Sequence, residues 1–317
     1  GKLRFSYQDC CFVNKLFSIQ PKETMVPRYI YYYVLSNEFQ SQFKKAIQGL
    51  IGGVSLSKIK DFSITTPPLA EQQRIVAKLD TALAEIDKIA TNTQQKLDEV
   101  RNLYASGITE IYFSNKSVPV IPLSTVSKIK GGKRVPKGNK LQSEPTNHPY
   151  IRVSDFTDFG TINEKSIQYI TEEIYSKISR YTISSNDVYV SVAGTIGKTG
   201  IIPRSLDGAN LTENAAKIVL NKELDKDYFY FFTTSSSFEE QVIAQTRTAA
   251  QPKLALERLG KVELPIPKKL SQKVVAEKAR SVRDKVRLVE TLLNEKLAQI
   301  QMLKSAFLTQ ELQSDAA

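Results

Sequence analysis

The chain has few of the residues that build redox, metal and membrane sites. It contains no tryptophan, a single histidine (His148) and two cysteines, the adjacent Cys10 and Cys11. Adjacent cysteines provide neither a disulfide framework nor a cysteine-based metal site, which fits a reducing compartment, so we expect a cytoplasmic protein. One histidine argues against histidine-dependent triads and two-histidine metal sites. No apolar run approaches the ~20 residues of a bilayer span, so no membrane-spanning segment is predicted.

Length and charge indicate two domains and a polyanionic partner. Two domains are the prior for 317 residues. The chain carries 44 lysines and arginines against 33 acidic residues, a net charge of +11. Charge alone favours nucleic acid first and an anionic membrane second, and of the two we expect nucleic acid and no membrane partner. A basic protein without such a partner stays open as an alternative.

Two long segments share one helical pattern, Leu69 to Phe113 and Leu270 to Leu312. Apolar residues recur in steps of three and four, the heptad pattern of a two-helix seam. A helix of about 43 residues is roughly 65 Å long, which no small domain covers. We therefore predict two long helices paired as an antiparallel coiled coil. The predicted seam consists of Ile75, Leu79, Ile86, Ile89, Leu97 and Val100 in the first helix and Val275, Val282, Val286, Val289, Leu293, Ile300 and Leu303 in the second.

The remaining sequence has α/β character, so an α+β fold is predicted. A tyrosine-rich segment from Pro27 to about Phe43 is predicted to be a helix whose tyrosines pack in a core, with base stacking as the alternative. Residues 59–66 are predicted to form a short strand. Tyr29 and Phe39 align with Tyr228 and Phe238 at a constant offset of 199, and the long segments align at about 200. The sequence is thus duplicated.

The duplication predicts four parts. Residues 1–67 form the C-terminal half of a first domain, 68–115 a long helix, 116–267 a complete second domain, and 268–317 a second long helix and tail. Nothing before Gly1 corresponds to residues 120–202. We therefore expect a fragment or an N-terminally truncated reading frame.

Candidate DNA contacts cluster in the second domain. Between Lys128 and Lys140, cations alternate with glycine and proline, which suits phosphate neutralisation, although such a run can also be a solvated loop. Arg152 can donate two hydrogen bonds to a guanine, and Asp155 can accept a hydrogen bond from a cytosine. The alternative is that these two side chains form an ion pair with each other. Lys198 follows a glycine turn that could sit on a phosphate. The candidates are Lys128, Lys130, Lys133, Arg134, Lys137, Lys140, Arg152, Ser154, Asp155, Lys198, Arg247, Gln251 and Lys253.

Two motifs that would indicate catalysis are incomplete. Residues 194–199 end in Gly-Lys-Thr, but Val192 stands where a phosphate-binding loop needs its first glycine, so a tight turn is predicted. The string from Thr66 to Leu69 lacks the polar head and the aromatic residue of a methyltransferase tetrapeptide. There is also no glycine-rich loop suited to S-adenosylmethionine. We predict no catalytic residues and no metal site.

In order, the segments Pro67–Val76, Tyr150–Asp155, Asn186–Val188, Gly194–Lys198 and Asn214–Ile218 resemble the specificity subunit of type I restriction-modification systems, which act in host defence. The resemblance implies two target recognition domains, each reading half of a split DNA sequence. It implies helices that dock two modification (methyltransferase) subunits, which restriction subunits join. S-adenosylmethionine, ATP and Mg²⁺ would then be bound by partners. A self-contained DNA-modifying enzyme and a coiled-coil adaptor without a DNA role are the alternatives.

Overall fold

A computed structural model of the protein describes Ser6 and residues 17–47, 54–246 and 252–313. The chain divides into two compact units. Unit 1 comprises residues 1–98 and 289–317, and unit 2 comprises residues 99–288. None of the helices in these described ranges combines the length and the apolar character that a bilayer span requires.

Unit 1 is built from helices. Its elements in chain order are α1 (Pro27–Leu35), α2 (Asn37–Ala46), α3 (Leu56–Lys60), the first part of α4 (Leu69–Phe113) and the last part of α10 (Lys269–Gln313). The predicted tyrosine-rich helix is broken in two because Ser36 adopts an extended backbone and its side chain caps α2. Tyr29 and Tyr33 are fully buried, which confirms core packing for these tyrosines. Residues 59–66 are not a strand, since α3 occupies the start of this segment.

Unit 2 holds all the strands of the described residues. It begins with the last part of α4 and ends with the first part of α10 (Lys269–Gln313). Between them lie β1 (Val120–Pro122), α5 (Leu123–Val126), β2 (Ser127–Gly131), β3 (Pro149–Ile151), β4 (Gln168–Tyr169), α6 (Glu172–Ile178), β5 (Val188–Ser191), β6 (Thr199–Gly200), β7 (Asn210–Leu211), β8 (Ala215–Leu220), α7 (Lys226–Phe232), α8 (Ser236–Gln245), α9 (Leu256–Leu259) and β9 (Glu263–Pro265). Strands β2, β8, β5 and β6 form an antiparallel sheet in that order. A second sheet has the order β4-β3-β7, and β1 pairs with β9.

Helices α4 and α10 pack antiparallel within each unit. In unit 1, Lys78 binds Glu311 at 2.8 Å and Asp87 binds Lys304 at 2.5 Å, so residue numbers rise along one helix as they fall along the other. In unit 2, the Arg283 guanidinium lies 5.1 Å from the Tyr104 ring. The predicted long helices, their pairing and the α+β fold are thereby confirmed, with helix bounds within one residue of those predicted.

The buried stripe of both helices repeats every 11 residues, not every seven. Eleven residues make three turns at 3.67 residues per turn, which is close to the 3.6 of a straight α-helix. Positions that repeat every seven residues move gradually around a straight helix and so leave the buried side. This corrects the predicted seam at Ile89, Val289 and Leu303, which are 45%, 40% and 56% exposed. The remaining predicted seam residues are buried or half-buried. The repeating positions are Ile75, Ile86, Leu97 and Ile108 in α4 and Val275, Val286, Leu297 and Leu308 in α10.

The sequence duplication is repeated in the hydrogen bonds of the two units. Gln72 lies 1% exposed at the start of α4, accepts from Val26 N and donates to Thr24 O and Pro67 O. Gln272, 200 positions later, is equally buried at the start of α10. It accepts from Asp225 N at 2.8 Å and donates to Glu223 O and Pro267 O, both at 2.9 Å. Each glutamine thus fastens a long helix to its own unit.

Candidate nucleic-acid interface

The basic segment of unit 2 is part strand and part loop. Lys128 and Lys130 lie on β2, which pairs with β8 from Ser127 opposite Leu220 to Gly131 opposite Ala216. The predicted loop therefore begins at residue 132, because β8 extends the ladder further than the glycine content indicated. Its four cations are exposed: Lys133, Arg134, Lys137 and Lys140.

The start of this loop is rigidly attached to the domain. Lys133 N donates to Leu211 O at 2.8 Å, and the Tyr150 hydroxyl donates to Lys133 O at 2.9 Å. Burial raises the pKa of Tyr150, so this hydroxyl stays a neutral donor. A Cβ on Gly132 would lie 2.1 Å from Thr212 O, so only glycine fits there. The loop that carries the cations is consequently held to the domain at its first residues.

Most cations of this segment are not neutralised. Arg134 pairs with Glu213 at 2.5 Å. Burial acts to raise the pKa of Glu213, but the hydrogen bonds with Arg134 and Thr212 outweigh it, so the pKa lies below its ordinary value. Within the ranges that the structure describes, Lys128, Lys137 and Lys140 have no carboxylate partner. The surface is therefore strongly positive, as phosphate contact requires.

Arg152 and Asp155 form the internal pair that the sequence left open. Arg152 contacts both carboxylate oxygens of Asp155, with the shortest distance at 2.7 Å, and Asp155 is fully buried. Ser166 adds a hydrogen bond to Asp155 at 2.9 Å. The candidate Ser154 between them is exposed, whereas Arg152 and Asp155 hold the backbone that follows β3.

Lys198 lies in the predicted tight turn and is used internally. Its ammonium binds Asp158 at 2.8 Å and Phe156 O at 3.0 Å. The hydrogen bond and the charge of Lys198 hold the pKa of Asp158 below its ordinary value. Gly194 and Gly197 have φ of 76° and 87°, which explains the glycines of this turn. Contact between Lys198 and a phosphate stays a prediction.

The remaining candidates differ in position. Lys253 is exposed, and its backbone forms an isolated antiparallel β-bridge with Ala193 beside the glycine turn. Arg247 and Gln251 lie outside the described residues. His148 stacks on Tyr175 with ring centroids 3.9 Å apart and contacts Glu172 at 2.6 Å. No group of three potential metal ligands occurs among the residues that the structure describes.

Sequence reasoning missed three residues that line an open pocket beside the loop: Arg180, Tyr181 and Lys217. They come from the segment after α6 and from β8, so no local spacing connects them. The charge pattern of the pair β2–β8 is the one signal that could have identified Lys217.

Helix α10 also carries exposed apolar residues on the side away from its buried stripe. At 100° per residue, Leu270, Val274 and Leu288 in unit 2 fall within about 40° of one another and opposite the buried Ala279. These three side chains are 78%, 60% and 63% exposed. In unit 1, Leu292, Met302 and Leu303 lie on the corresponding side of the helix and are also exposed. Leu270 and Val274 lie one turn apart, whereas Ser281 and Lys285 separate them from Leu288 on this side of the helix.

Comparisons with known proteins agree with one another. A family model described as "Type I restriction modification DNA specificity domain" matches residues 1–100 and 115–297. The EcoBI specificity subunit of a type I restriction enzyme from Escherichia coli is 20% identical, across 93% of this chain and 67% of its own length. The MjaVIII specificity subunit from Methanocaldococcus jannaschii is 24% identical, across 83% of this chain and 65% of its own length.

A solved structure from work on complex assembly and conformational transition of the type I R-M system has a TM-score of 0.66. It is 17% identical and covers 92% of this chain and 72% of that chain, so the likeness concerns the fold. The chain spans about two thirds of the length of the curated relatives.

Proposed function

The chain belongs to the family of type I restriction-modification DNA specificity domains, and from this premise we propose that it recognises DNA for a type I restriction-modification complex. The observation that carries the proposal is the set of cations on β2 and its loop, held on a rigid anchor in the unit that the family match covers. In this proposal unit 2 contains a complete target recognition domain that reads part of a split sequence.

The exposed apolar side of α10 supports a docking role. We infer that it binds methyltransferase subunits, since Leu270, Val274 and Leu288 are accessible without disturbing the buried stripe. The chain itself would be non-catalytic and cytoplasmic. S-adenosylmethionine, ATP and Mg²⁺ would be bound by the methyltransferase and restriction subunits.

Electrophoretic mobility shift of the assembled complex on specific and random duplexes tests the proposal. Lys133→Ala with Arg134→Ala should lower affinity and reduce the slope of log K against log salt by roughly 1–2, because two phosphate contacts are lost. The double variant Lys222→Ala with Lys261→Ala removes two charges elsewhere in unit 2 and serves as the control. Equal affinity of the wild-type complex for specific and random DNA would contradict the proposal.

Two competing functions are separable from this one. A self-contained methyltransferase would bind S-adenosylmethionine as an isolated chain, which calorimetry measures directly. A coiled-coil adaptor would assemble with methyltransferase subunits but would leave their affinity for DNA unchanged.

A further inference from the structure

Three of the eight residues that line the pocket beside the basic loop are cations. The pocket is open and has a volume of about 440 Å³. Six of its lining residues bear on what it can bind: Lys130, Gly131, Gly132, Arg180, Tyr181 and Lys217. They come from β2, β8 and the segment after α6, so the pocket exists only in the folded domain. No carboxylate is among the residues that line it.

Two of these cations face each other directly. Lys130 lies opposite Lys217 in the antiparallel pair β2–β8. Like charges in this position destabilise a sheet, so their presence needs a compensating group. Asp187 lies 3.4 Å from Lys217 and compensates that side chain. For Lys130 no carboxylate partner exists in the described part of the chain. The sheet therefore retains a positive charge that a bound anion would neutralise.

Tyr181 holds two further cations beside the pocket. The Arg180 guanidinium lies 5.5 Å from the centre of the Tyr181 ring, and the Lys133 ammonium lies 5.8 Å from it. Cation–π contacts of this kind restrain long side chains that would otherwise sample many rotamers. Lys133 belongs to the basic loop, so the pocket and the loop form one continuous positive surface.

We propose that this pocket binds a backbone phosphate of the DNA duplex, with Lys130, Arg180 and Lys217 as the donors. The proposal rests on the proposed function of the chain. A guanidinium can engage two phosphate oxygens at once, and the ammonium groups add charge from the sheet side. Phosphate contacts fix register and orientation but carry no sequence information. The pocket would therefore position the duplex while other residues read it.

The test compares two double variants in the assembled complex. Lys130→Ala with Arg180→Ala empties the pocket of two exposed cations. Lys165→Ala with Arg204→Ala removes the same two residue types from exposed positions elsewhere in unit 2. The pocket variant should lower the slope of log K against log salt by about 1, because one phosphate contact is lost, and should keep the preference for the specific duplex. The control should keep the wild-type slope, and circular dichroism should show both variants folded.

Two results would overturn the proposal. One is a wild-type slope in the pocket variant; if millimolar inorganic phosphate then stabilises the wild type but not the pocket variant, the pocket binds a free anion and not DNA. The other is an equal loss in both variants, since net charge alone would then suffice. If wild type shows no specific DNA binding at all, the proposed function fails first, and the two failures remain distinguishable.

Discussion

Replacing Gln272 by methionine should detach the start of α10 from unit 2. The two side chains are similar in shape, but methionine cannot replace the three hydrogen bonds to Asp225 N, Glu223 O and Pro267 O. Gln272 is 1% exposed, so water does not take over these bonds. Each is worth about 1 kcal/mol net, and an unsatisfied buried group costs about 1–3 kcal/mol. We expect a loss of about 3 kcal/mol in the stability of unit 2.

Native-state hydrogen exchange measures this loss locally. The Asp225 amide is protected by its bond to Gln272, so its exchange should accelerate by roughly 100-fold for about 3 kcal/mol. A local probe is preferable because a chain of two compact units need not unfold in one step. Gln299→Met, at an exposed position of the same helix, is the matched control and should leave the exchange unchanged.

The result that would refute the reasoning is a change below about 1 kcal/mol with unchanged protection of Asp225. Gln272→Glu provides a second test, because a carboxylate keeps the acceptor but faces two carbonyl oxygens that need donors. Its pKa in the folded state should be raised, since protonation restores one donor. The variant should therefore be relatively more stable below pH ~4 and lose that stability as the pH rises through the raised pKa.

Two other predictions follow from exposed groups. Leu270→Glu with Val274→Glu should prevent recovery of methyltransferase subunits in a pull-down while leaving the unfolding temperature unchanged, because both side chains are exposed; normal recovery would contradict the docking surface. For Asp158, the pKa is lowered by Lys198. Its contribution to stability is thus present above the ordinary carboxyl pKa and lost as the pH falls through the lowered one. NMR titration should show that pKa rising towards its ordinary value in Lys198→Ala, and an unchanged value would argue against the pair.

The sequence predicted the long helices well because their signal is local and repeated. About 45 residues of amphipathic pattern bounded by Pro67–Pro68 and by Pro267 leave little freedom in helix bounds. The exact register was less predictable, because heptad and 11-residue spacings coincide over one or two turns and separate only further along. For this reason the heptad pattern assigns Ile89 and Leu303 to the seam, although both side chains are exposed.

The candidate interface was only partly predictable, because its contacts join distant segments. The spacing of Arg152 and Asp155 is compatible with base reading and with mutual pairing, and only the fold shows that Asp155 is buried. Lys133 contacts Tyr181, which is 48 positions away in the chain (181 − 133). Lys130 lies opposite Lys217, which is 87 positions away (217 − 130). No periodicity links such pairs, since strand register and loop anchoring determine them.

The duplication conceals one reversal of charge. In unit 1, Arg28 on α1 binds Asp80 on α4 at 2.6 Å. At the matching positions of unit 2, Asp227 on α7 binds Arg280 on α10 at 2.5 Å. Each bond is weak because it is exposed, but a domain transplanted onto the other helix would set Arg28 against Arg280 or Asp227 against Asp80. The two units thus have opposite charges at this contact, and a unit moved onto the other helix would keep its ion pair only if the helix residue were exchanged with it.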